Sequence, residues 1–437
     1  MKKITFVGTG YVGLVGGAGI SEFGHQVTCA DIDQNKIERL KAGEIPIYEP
    51  GLESLVKQNV AKGRLHFSHD VPKSIQNADI IFVAVGTPQG SNGEANLSAI
   101  ESVAKTIGEN LNGYKIICTK STVPIGTGKR IEEIIRSMNP NGDFDYVSNP
   151  EFLREGAAVK DFLHPDRVVI GTRTQKAIKV MGEVYRPLYI NETPIISTTV
   201  ETAEMIKYAA NAFLSLKISY INEIPNLCEA VGADVQDVAR AMGLDGRISA
   251  KFLHPGPGYG GSCFPKDTHA LAATGQKNRS PLLTVEAAIK TNASQKVRMV
   301  DKLKRIMGGS FKGKTVAVLG LAFKPQTDDV REAASIVIVS NLAESGATVQ
   351  AYDPIAMDNF KNHFPNIQYF DSWQDAVKNA DACILLTEWN EFRGMDLNKL
   401  KDLMKTPVLL DTKNIISIQE LESRGFTYDN VGRKSPS

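Results

Sequence analysis

A glycine-rich turn near the start of the chain restricts its fold more than any other feature. The turn, GTGYVG, places Gly8, Gly10 and Gly13 between a β-rich run and a helix-length segment. Asp31 ends the next β-rich run, at the spacing of about 20 residues that is typical of dinucleotide-binding βαβ units. The glycines permit a tight turn, close approach of a pyrophosphate and close helix–strand packing, and Asp31 can bind a ribose diol while repelling a 2′-phosphate. The pattern therefore predicts a site for NAD rather than NADP; the alternative is a turn that merely joins strand to helix.

The α/β pattern occurs twice in the chain. KTVAVLGLAF, ATVQAYDP, NADACILLT and TPVLLDTKN repeat, in the same order, KITFVGTGYV, HQVTCADID, NADIIFVAV and YKIICTKST. Between them, residues 198–231 lack glycine and carry apolar residues at helical spacing. We therefore predict an α/β protein with two Rossmann-like, doubly wound parallel-sheet domains joined by a long central helix. The expected domain limits are 1–197, 198–300 and 301–437.

Composition excludes several other classes of protein. Among 437 residues, 50 Lys and Arg face 49 Asp and Glu, a formal net charge of +1, without the positive excess that binds nucleic acid or anionic membranes. No apolar run reaches the roughly 20 residues that cross a bilayer. The five cysteines are widely spaced and lack a CxxC pair, which indicates neither a disulfide framework nor a metal site. We therefore expect a soluble protein of the reducing cytoplasm.

One of the cysteines lies in an unusual segment, FLHPGPGYGGSCFPKD, residues 252–267. Glycines and prolines there predict a rigid loop that delivers Cys263 to the start of a helix, where Pro265 suits the first turn. A helix N-terminus next to Lys266 should lower the pKa of the thiol and make it nucleophilic. The alternative is a small buried hydrophobe, which fits the other cysteines: Cys29, Cys118, Cys228 and Cys383.

Three further motifs carry polar groups that suit a ligand site. In SNPEFLREG, Glu151 and Glu155 would share a helix face if the segment is helical, or form a solvated acidic pair. In KSTVPIG, Thr122 lies where a strand opens into a loop, at the sheet edge that holds ligands in open α/β folds. Lys207 and Asn211 are four residues apart on the long helix and so share a face. A lysine that points inward is costly unless it meets an anion, whereas a pair on the surface needs no partner.

The glycine turn of the second half is altered. In GLAFKPQTDDVRE, residues 320–332, Phe323, Lys324 and Arg331 replace the later glycines. Cations at this position suit a phosphate-bearing ligand, although a charged surface loop would also explain them. The two halves are therefore expected to bind different molecules.

Taken in order, the motifs GTGYVGLV, KSTVPIGT, NPEFLREG, KYAANAF, FLHPGPGYGGSCFPKD and GLAFKPQTDDVRE resemble those of the nucleotide-sugar dehydrogenase family. The resemblance implies an NAD domain at 1–197, a dimerising helical domain at 198–300 and a uridine-nucleotide domain at 301–437. It implies an NAD-dependent dehydrogenase that converts UDP-glucose to UDP-glucuronate, releasing two NADH through a thiohemiacetal and a thioester on Cys263.

The resemblance also implies roles for individual residues. Cys263 would be the nucleophile, supported by Lys207, Asn211 and Asp267, while Thr122 and Glu151 would position water. The implied NAD contacts are Gly8, Gly10, Tyr11, Val12, Gly13, Asp31, Lys36, Thr87, Thr122, Glu155, Lys266 and Arg331. The implied sugar-nucleotide contacts are Glu151, Phe152, Leu153, Arg154, Glu155, Lys207, Asn211, Arg247, Phe252, Leu253, His254, Pro255, Gly256, Gly260 and Lys324.

Arg247 resembles an arginine that the second subunit contributes, which implies a homodimer. Two positions depart from the family pattern: Asn96 replaces a common aspartate and Lys413 a common arginine. His254 and Pro255 favour glucose by resemblance.

Two alternatives to this function remain at the level of sequence. The substrate could be another nucleotide sugar, UDP-N-acetylmannosamine or GDP-mannose. The chain could instead be a non-catalytic NAD-binding redox sensor in which Cys263 is merely an oxidisable thiol. The final segment, 430–437, is expected to lack structure.

Overall fold

The chain folds into two units, each built on its own sheet. The computed structural model describes residues 1–90 and 93–434. Backbone contacts divide the chain into Met1–Ala210 and Asn211–Ser437. Ser91 and Asn92, in the glycine-rich loop that follows the third strand-like run of the sequence, lie outside the described residues.

The first unit is built on an eight-stranded sheet with the order β3-β2-β1-β4-β5-β6-β7-β8. Its strands are β1 Lys3–Val7, β2 Gln26–Ala30, β3 Leu65–Ser68, β4 Ile80–Val83, β5 Lys115–Thr119, β6 Phe144–Ser148, β7 Val168–Thr172 and β8 Ile195–Thr198. The strands from β1 to β6 are parallel, whereas β7 pairs with β6 antiparallel and with β8 parallel. The order reverses between β1 and β4, which opens a crevice at the carboxyl ends of these strands.

Helices cover the central strands of this sheet on both faces, so those strands are largely apolar. All four residues of β4 and all five of β5 are buried, as expected for parallel strands covered on both sides. Phe6 and Phe82 lie opposite each other on β1 and β4, with ring centroids 4.6 Å apart. The helices are α1 Tyr11–Glu22, α2 Gln34–Lys41, α3 Leu52–Ala61, α4 Val71–Asn77, α5 Ser98–Asn110, α6 Thr127–Met138, α7 Ala158–Leu163 and α8 Gln175–Val184, with a 3₁₀ turn at Arg186–Asn191.

The long central helix is confirmed as α9, Val200–Val231, which has 32 residues. The boundary between the two units falls within it. None of the helices in the described part of the chain is both long and apolar enough to cross a membrane.

The second unit repeats the topology of the first. Its six strands are all parallel, in the order β11-β10-β9-β12-β13-β14. They are β9 Thr315–Leu319, β10 Thr348–Tyr352, β11 Gln368–Tyr369, β12 Ala382–Leu385, β13 Val408–Asp411 and β14 Thr427–Asp429. The helices are α10 Val235–Leu244, α11 Phe264–Lys277, α12 Leu283–Ile306, α13 Ala334–Glu344, α14 Met357–Lys361, α15 Trp373–Val377, α16 Asn390–Arg393, α17 Leu397–Leu403 and α18 Ile418–Ser423. Both doubly wound domains, and with them the predicted fold class, are confirmed; the antiparallel β7 is the departure from a purely parallel sheet.

The expectation that the chain lacks structure from residue 430 onwards is wrong for residues 430–434. Val431 is buried, and its backbone N–H and C=O both bond to the side-chain amide of Asn414. The N–H of Gly432 donates to Glu229 of α9 at 3.0 Å. A polar, glycine-containing tail can therefore be ordered by side chains distant in sequence; residues 435–437 lie outside the described residues.

Candidate active site

The glycine turn joins β1 to α1 at the crevice of the first sheet. Gly8 has φ +101°, which favours glycine, and a Cβ built on Gly13 would lie 1.9 Å from the carbonyl oxygen of Gly8. A Cβ built on Gly10 would have no atom within 4 Å. The first and third glycines are therefore required for packing, whereas the second leaves open space before the N-terminus of α1, where an anion can bind.

Asp31 follows β2 and faces the same turn. Its carboxylate accepts hydrogen bonds from the backbone N–H and the hydroxyl of Thr9, at 2.8 and 2.7 Å, and pairs with the ammonium of Lys36 at 3.3 Å. Burial by itself raises the pKa of Asp31, but hydrogen bonds from Thr9 and Asp33 and the charge of Lys36 outweigh it, so the net pKa is lowered. The open backbone at Gly10 and this oriented carboxylate together fit the pyrophosphate and ribose of NAD.

Thr87 and Thr122 meet at the carboxyl edge of the first sheet. They lie in the loops that follow β4 and β5, and the hydroxyl of Thr87 donates to the carbonyl of Thr122 at 2.8 Å. A second bond, from the hydroxyl of Ser121 to the carbonyl of Val85 at 2.6 Å, joins the same two loops. The sequence placed Thr122 at this edge, and the side chain is half-buried there.

Glu151 forms a buried ion pair with Lys207 of α9. Their side chains are 5% and 4% exposed, and Lys207 Nζ lies 3.1 Å from Glu151 Oε1. The other carboxylate oxygen accepts the backbone N–H of Leu153. The aromatic ring of Phe152 lies under two cations, Arg167 at 3.6 Å and Lys207 at 5.4 Å. The inward lysine therefore meets an anion, as its position on the helix required.

The segment from Glu151 to Glu155 is not helical, so the condition under which Glu151 and Glu155 would share a helix face is not met. The segment is irregular until α7 begins at Ala158, and Gly156 has φ +79°. Arg154, predicted to contact the sugar nucleotide, is exposed and bonds to Asp161 through its backbone N–H, Nε and Nη2. Glu155 is half-buried. Side-chain bonds to backbone groups hold this segment, which a helix-spacing argument cannot detect.

Lys120, which precedes Thr122, is a buried group that the sequence analysis did not single out. It is 4% exposed, and its ammonium donates to the backbone and side-chain oxygens of Asn149 at 3.3 and 3.2 Å. Tyr185 donates to the same side-chain oxygen at 2.5 Å. Burial lowers the pKa of Lys120 to about 8. The signal that could have found it is a lysine at the end of an otherwise apolar strand.

Glu204, one turn before Lys207 on α9, is a second such group. It is 2% exposed and accepts the backbone N–H groups of Gly126 and Gly128, at 2.7 and 2.8 Å, at the start of α6. Burial raises its pKa to about 7. It therefore holds the beginning of α6, which follows the loop of Thr122, against α9.

In the second unit, Cys263 caps the N-terminus of α11, and Pro265 lies in the first turn as expected. The thiol is half-buried, whereas the other four cysteines are buried. Asp267, on the same helix, is fully buried; its carboxylate accepts Asn211 Nδ2 at 2.6 Å and Lys266 Nζ at 2.5 Å. Asn211 is itself 6% exposed. The structure therefore brings Asn211 of α9 next to Lys266 and Asp267 of α11, the helix that carries the thiol.

Polar side chains from two long helices hold the loop that precedes Cys263. On α9, the side-chain oxygen of Asn222 accepts the N–H of Gly256 at 2.8 Å. On α12, Gln295 donates to the carbonyl of Gly256 at 2.8 Å, and Asn292 bonds to both backbone groups of Tyr259. These bonds hold the loop against both helices, which is consistent with the rigid loop that its glycines and prolines predicted.

This loop packs against the altered glycine turn of the second half. A Cβ on Gly260 would lie 2.5 Å from the carbonyl oxygen of Glu332, and the N–H of Gly261 donates to the carbonyl of Arg331 at 2.8 Å. The ammonium of Lys324 lies 5.3 Å from the ring of Phe323. The segments 252–262 and 320–332, which include Gly260 and Lys324, implied by the resemblance as sugar-nucleotide contacts, thus pack against each other in the second unit.

The second turn cannot offer a carboxylate to a ribose. Asp353 follows β10 as Asp31 follows β2, but it is fully buried, and one oxygen accepts the N–H groups of Leu321 and Ala322 and the indole N–H of Trp389. Its other oxygen accepts two further backbone N–H groups. This agrees with the expectation that the two halves bind different molecules.

The remaining predicted contacts differ in exposure. Leu253, Pro255 and Gly256 are buried and Phe252 is half-buried, whereas His254 is exposed. Arg247 is also exposed and pairs with Asp245 at 2.6 Å. Of the two departures from the family pattern, Lys413 pairs with Glu388 at 3.0 Å, and Asn96 accepts the N–H of Ser98 at the start of α5. Within residues 1–90 and 93–434, no cluster of three or more His, Cys, Asp or Glu could hold a metal ion.

Comparison with known proteins identifies the family. Residues 2–189 match the NAD binding domain of the UDP-glucose/GDP-mannose dehydrogenase family, 201–294 its central domain and 317–418 its UDP binding domain. A UDP-glucose 6-dehydrogenase of Rhizobium meliloti (strain 1021) is 51% identical over 434 residues, 99% of each chain.

Solved structures agree. A UDP-glucose dehydrogenase from Pyrobaculum islandicum matches with a TM-score of 0.93 and 34% identity, covering 99% of this chain and 98% of that one. A UDP-D-ManNAc dehydrogenase from Pyrococcus horikoshii matches with a TM-score of 0.87 and 25% identity, covering 98% and 99%. The resemblance drawn from the motifs is confirmed: the chain belongs to the UDP-glucose/GDP-mannose dehydrogenase family and is an NAD-dependent dehydrogenase.

Proposed function

We propose that this enzyme oxidises UDP-glucose to UDP-glucuronate in two successive two-electron steps. The observation that carries the proposal is the half-buried Cys263 at the start of α11, followed one turn later by the fully buried Asp267. A primary alcohol becomes a carboxylate only by way of an aldehyde, and a thiol can hold that aldehyde covalently between the two oxidations. The 51% identity to a UDP-glucose 6-dehydrogenase supports the choice of sugar.

Different residues of the chain carry out different parts of the proposed reaction. NAD, when bound, accepts a hydride in each oxidation. The sulfur of Cys263 adds to the aldehyde carbon to form a thiohemiacetal, which becomes a thioester when that carbon loses a hydride. Water then breaks the carbon–sulfur bond, releasing the carboxylate and restoring the thiol. We assign oxyanion stabilisation to Lys207 and Asn211, and proton transfer during hydrolysis to Asp267.

Glu151 and Thr122 are proposed to order the water. The buried ion pair with Lys207 fixes the carboxylate of Glu151, and the bond from Thr87 fixes the backbone at Thr122. A group held by such contacts needs little reorganisation during the reaction. The proposed NAD and sugar-nucleotide contacts are those assigned from the sequence, in domains 1–197, 198–300 and 301–437.

Another nucleotide sugar is the nearest alternative substrate. Fold does not discriminate among these sugars, because the Pyrococcus UDP-D-ManNAc dehydrogenase has the same fold at 25% identity. A non-catalytic redox sensor is less consistent with the chain, since it has no use for a buried Lys207–Glu151 pair or for an Asn211–Asp267 bond.

We also propose a homodimer. Phe213, Tyr220 and Leu227 lie on α9 and are 62%, 48% and 61% exposed, which is unusual for large apolar side chains along one helix. The Arg247 side chain is 90% exposed, so a second subunit could receive it. The four buried free thiols fit the proposed cytoplasmic location.

Subunit complementation tests the dimer and the shared arginine together. Cys263→Ala and Arg247→Ala are each expected to be inactive. After mixing and exchange, half of the dimers are mixed and each contains one intact site, so roughly a quarter of wild-type activity should return. No recovery, under conditions in which tagged subunits are shown to exchange, would contradict a contribution of Arg247 from the second subunit.

The central experiment measures NADH at completion with limiting UDP-glucose and excess NAD. Two NADH per sugar, absent in Cys263→Ala, are expected. One NADH per sugar would mean that the aldehyde escapes and would rule out the thioester scheme. If no NADH forms, UDP-N-acetylmannosamine and GDP-mannose are tested next, and failure with these would favour the sensor.

A further inference from the structure

Glu49 is a buried carboxylate that the proposed chemistry does not use. It lies between α2 and α3 and is 6% exposed. One oxygen accepts the hydroxyl of Tyr11 and, at 2.6 Å, the backbone N–H of Gly156; the other accepts the N–H of Ala158 at 2.7 Å. Among residues 1–90 and 93–434, no lysine or arginine forms an ion pair with it. A buried carboxylate without a cation is costly unless its oxygens are fully hydrogen-bonded, and here they are.

The three donors belong to two different parts of the first unit. Tyr11 is the first residue of α1, directly after the open backbone at Gly10. Gly156 directly follows the segment from Glu151 to Glu155, and Ala158 is the first residue of α7. Glu49 therefore links the glycine turn, where NAD is proposed to bind, to the segment proposed to contact the sugar nucleotide.

We propose that Glu49 is a positioning residue that holds the segment from Glu151 to Glu155 in its ligand-binding conformation and ties it to the glycine turn. This inference rests on the proposed function only for the identity of the ligand. The segment has no helix or strand to define it, so its side-chain and backbone bonds determine where its groups lie. Glu49 accepts the backbone N–H groups of Gly156 and Ala158, directly after this segment, from 107 and 109 residues away in the sequence, and so fixes the end of the segment.

Replacement of Glu49 by glutamine preserves the shape of the side chain but replaces one of its two acceptor oxygens by an NH₂ group, which donates. Each carboxylate oxygen faces a backbone N–H, so either orientation of the amide places an NH₂ against a donor. At least one buried N–H then loses its acceptor, at a cost that corresponds to a change of about tenfold or more in an equilibrium. Tyr11→Phe removes a hydroxyl and leaves both backbone bonds intact, so its effect should be smaller, about threefold.

A hydroxyl–carboxylate pair elsewhere in the same unit provides a matched control. Tyr114 precedes β5 and donates to Asp145 of β6 at 2.6 Å, at the amino ends of these strands. Ligands of open α/β sheets bind at the opposite edge. Tyr114→Phe should therefore lower the melting temperature without changing affinity for substrate.

The three variants are compared with the wild type by three measurements: steady-state kinetics, calorimetric titration of UDP-glucose without NAD, and melting temperature. For Glu49→Gln we expect KM and Kd for UDP-glucose to rise about tenfold or more, with kcat within about threefold. Tyr11→Phe should raise both by about threefold, and Tyr114→Phe by less than about twofold.

The inference would be overturned if Glu49→Gln lowers the melting temperature while KM and Kd stay within about twofold of the wild-type values. The role of Glu49 would then be structural only. If Glu49→Gln does not fold, Tyr11→Phe replaces it as the test: a lower melting temperature with KM and Kd within about twofold of wild type would overturn the inference. A wild type that binds UDP-glucose but does not oxidise it would refute the proposed function, and Kd would still decide the role of Glu49. A wild type that neither binds nor oxidises it would overturn both.

Discussion

Substitution of Lys120 by methionine should change stability in a way that reverses with pH. Methionine has nearly the same length and fits the buried site without a charge. It removes the buried ammonium, and it also removes the two hydrogen bonds to Asn149. In the described residues no carboxylate forms an ion pair with Lys120, so the substitution leaves no buried anion behind.

The magnitude follows from the pKa. Burial lowers the pKa of Lys120 from 10.5 to about 8. The folded state therefore binds the proton less tightly than the unfolded state, and the charge destabilises the fold fully below pH 8 and progressively less as pH rises towards 10.5. This cost is about 3 kcal/mol at pH 7 and about half of that near pH 9.5. The two bonds to Asn149 contribute about 1 kcal/mol each in the opposite direction.

Lys120→Met should therefore stabilise the first unit by about 1 kcal/mol at pH 7 and destabilise it slightly near pH 9.5. The assay is urea unfolding of wild type and variant at both pH values. Lys105→Met, an exposed lysine of α5, serves as the control and should show the same difference from wild type at both. If the difference for Lys120→Met changes by less than about 0.5 kcal/mol between the two pH values, the ammonium is not desolvated and the reasoning is refuted.

Three further predictions concern the same unit. Gly10→Ala should leave the melting temperature unchanged but raise KM for NAD, because its Cβ would occupy open space before α1. Gly13→Ala should instead lower the melting temperature, because its Cβ would meet a carbonyl oxygen at 1.9 Å. Burial raises the pKa of Glu204 to about 7. The wild type therefore loses stability as pH rises from about 4.5 to about 7, because the folded state binds the proton more tightly than the unfolded state. Glu204→Gln has no such loss, so its unfolding free energy relative to wild type should increase by about 3 kcal/mol between pH 4 and pH 8. Glu151→Gln or Lys207→Met alone should each destabilise by about 3 to 5 kcal/mol, and the double variant by clearly less than the sum; additive losses in denaturant unfolding would show that the pair is not coupled.

Local sequence patterns predicted the strands, the long central helix and the two parallel-sheet domains. Strands that are buried on both faces are largely apolar, and a glycine turn between strand and helix restricts the backbone to a few conformations. Repetition of the same pattern after Gly313 therefore predicted a second sheet of the same topology. The position of Cys263 at a helix N-terminus was also local information, because Pro265 favours a first helical turn.

The pairing of polar groups could not be predicted in this way. Lys207 meets Glu151, and Asn211 meets Asp267, each across 56 residues of sequence. Spacing on α9 indicated only that Lys207 and Asn211 share a face. Which anion or carboxylate each one meets depends on how distant segments fold against the helix.

The sequence by itself determined the fold class, the location of the dinucleotide turn and the family, because these depend on patterns within one element or between neighbouring elements. Only the tertiary structure decided that residues 151–157 are irregular, that β7 runs antiparallel to β6 and that Lys120 and Glu49 are buried. Burial of a charged side chain depends on the hydrogen-bond partners that distant segments supply, here the oxygens of Asn149 for Lys120 and the N–H groups of Gly156 and Ala158 for Glu49. No local pattern encodes those partners, because they come together only when the chain has folded.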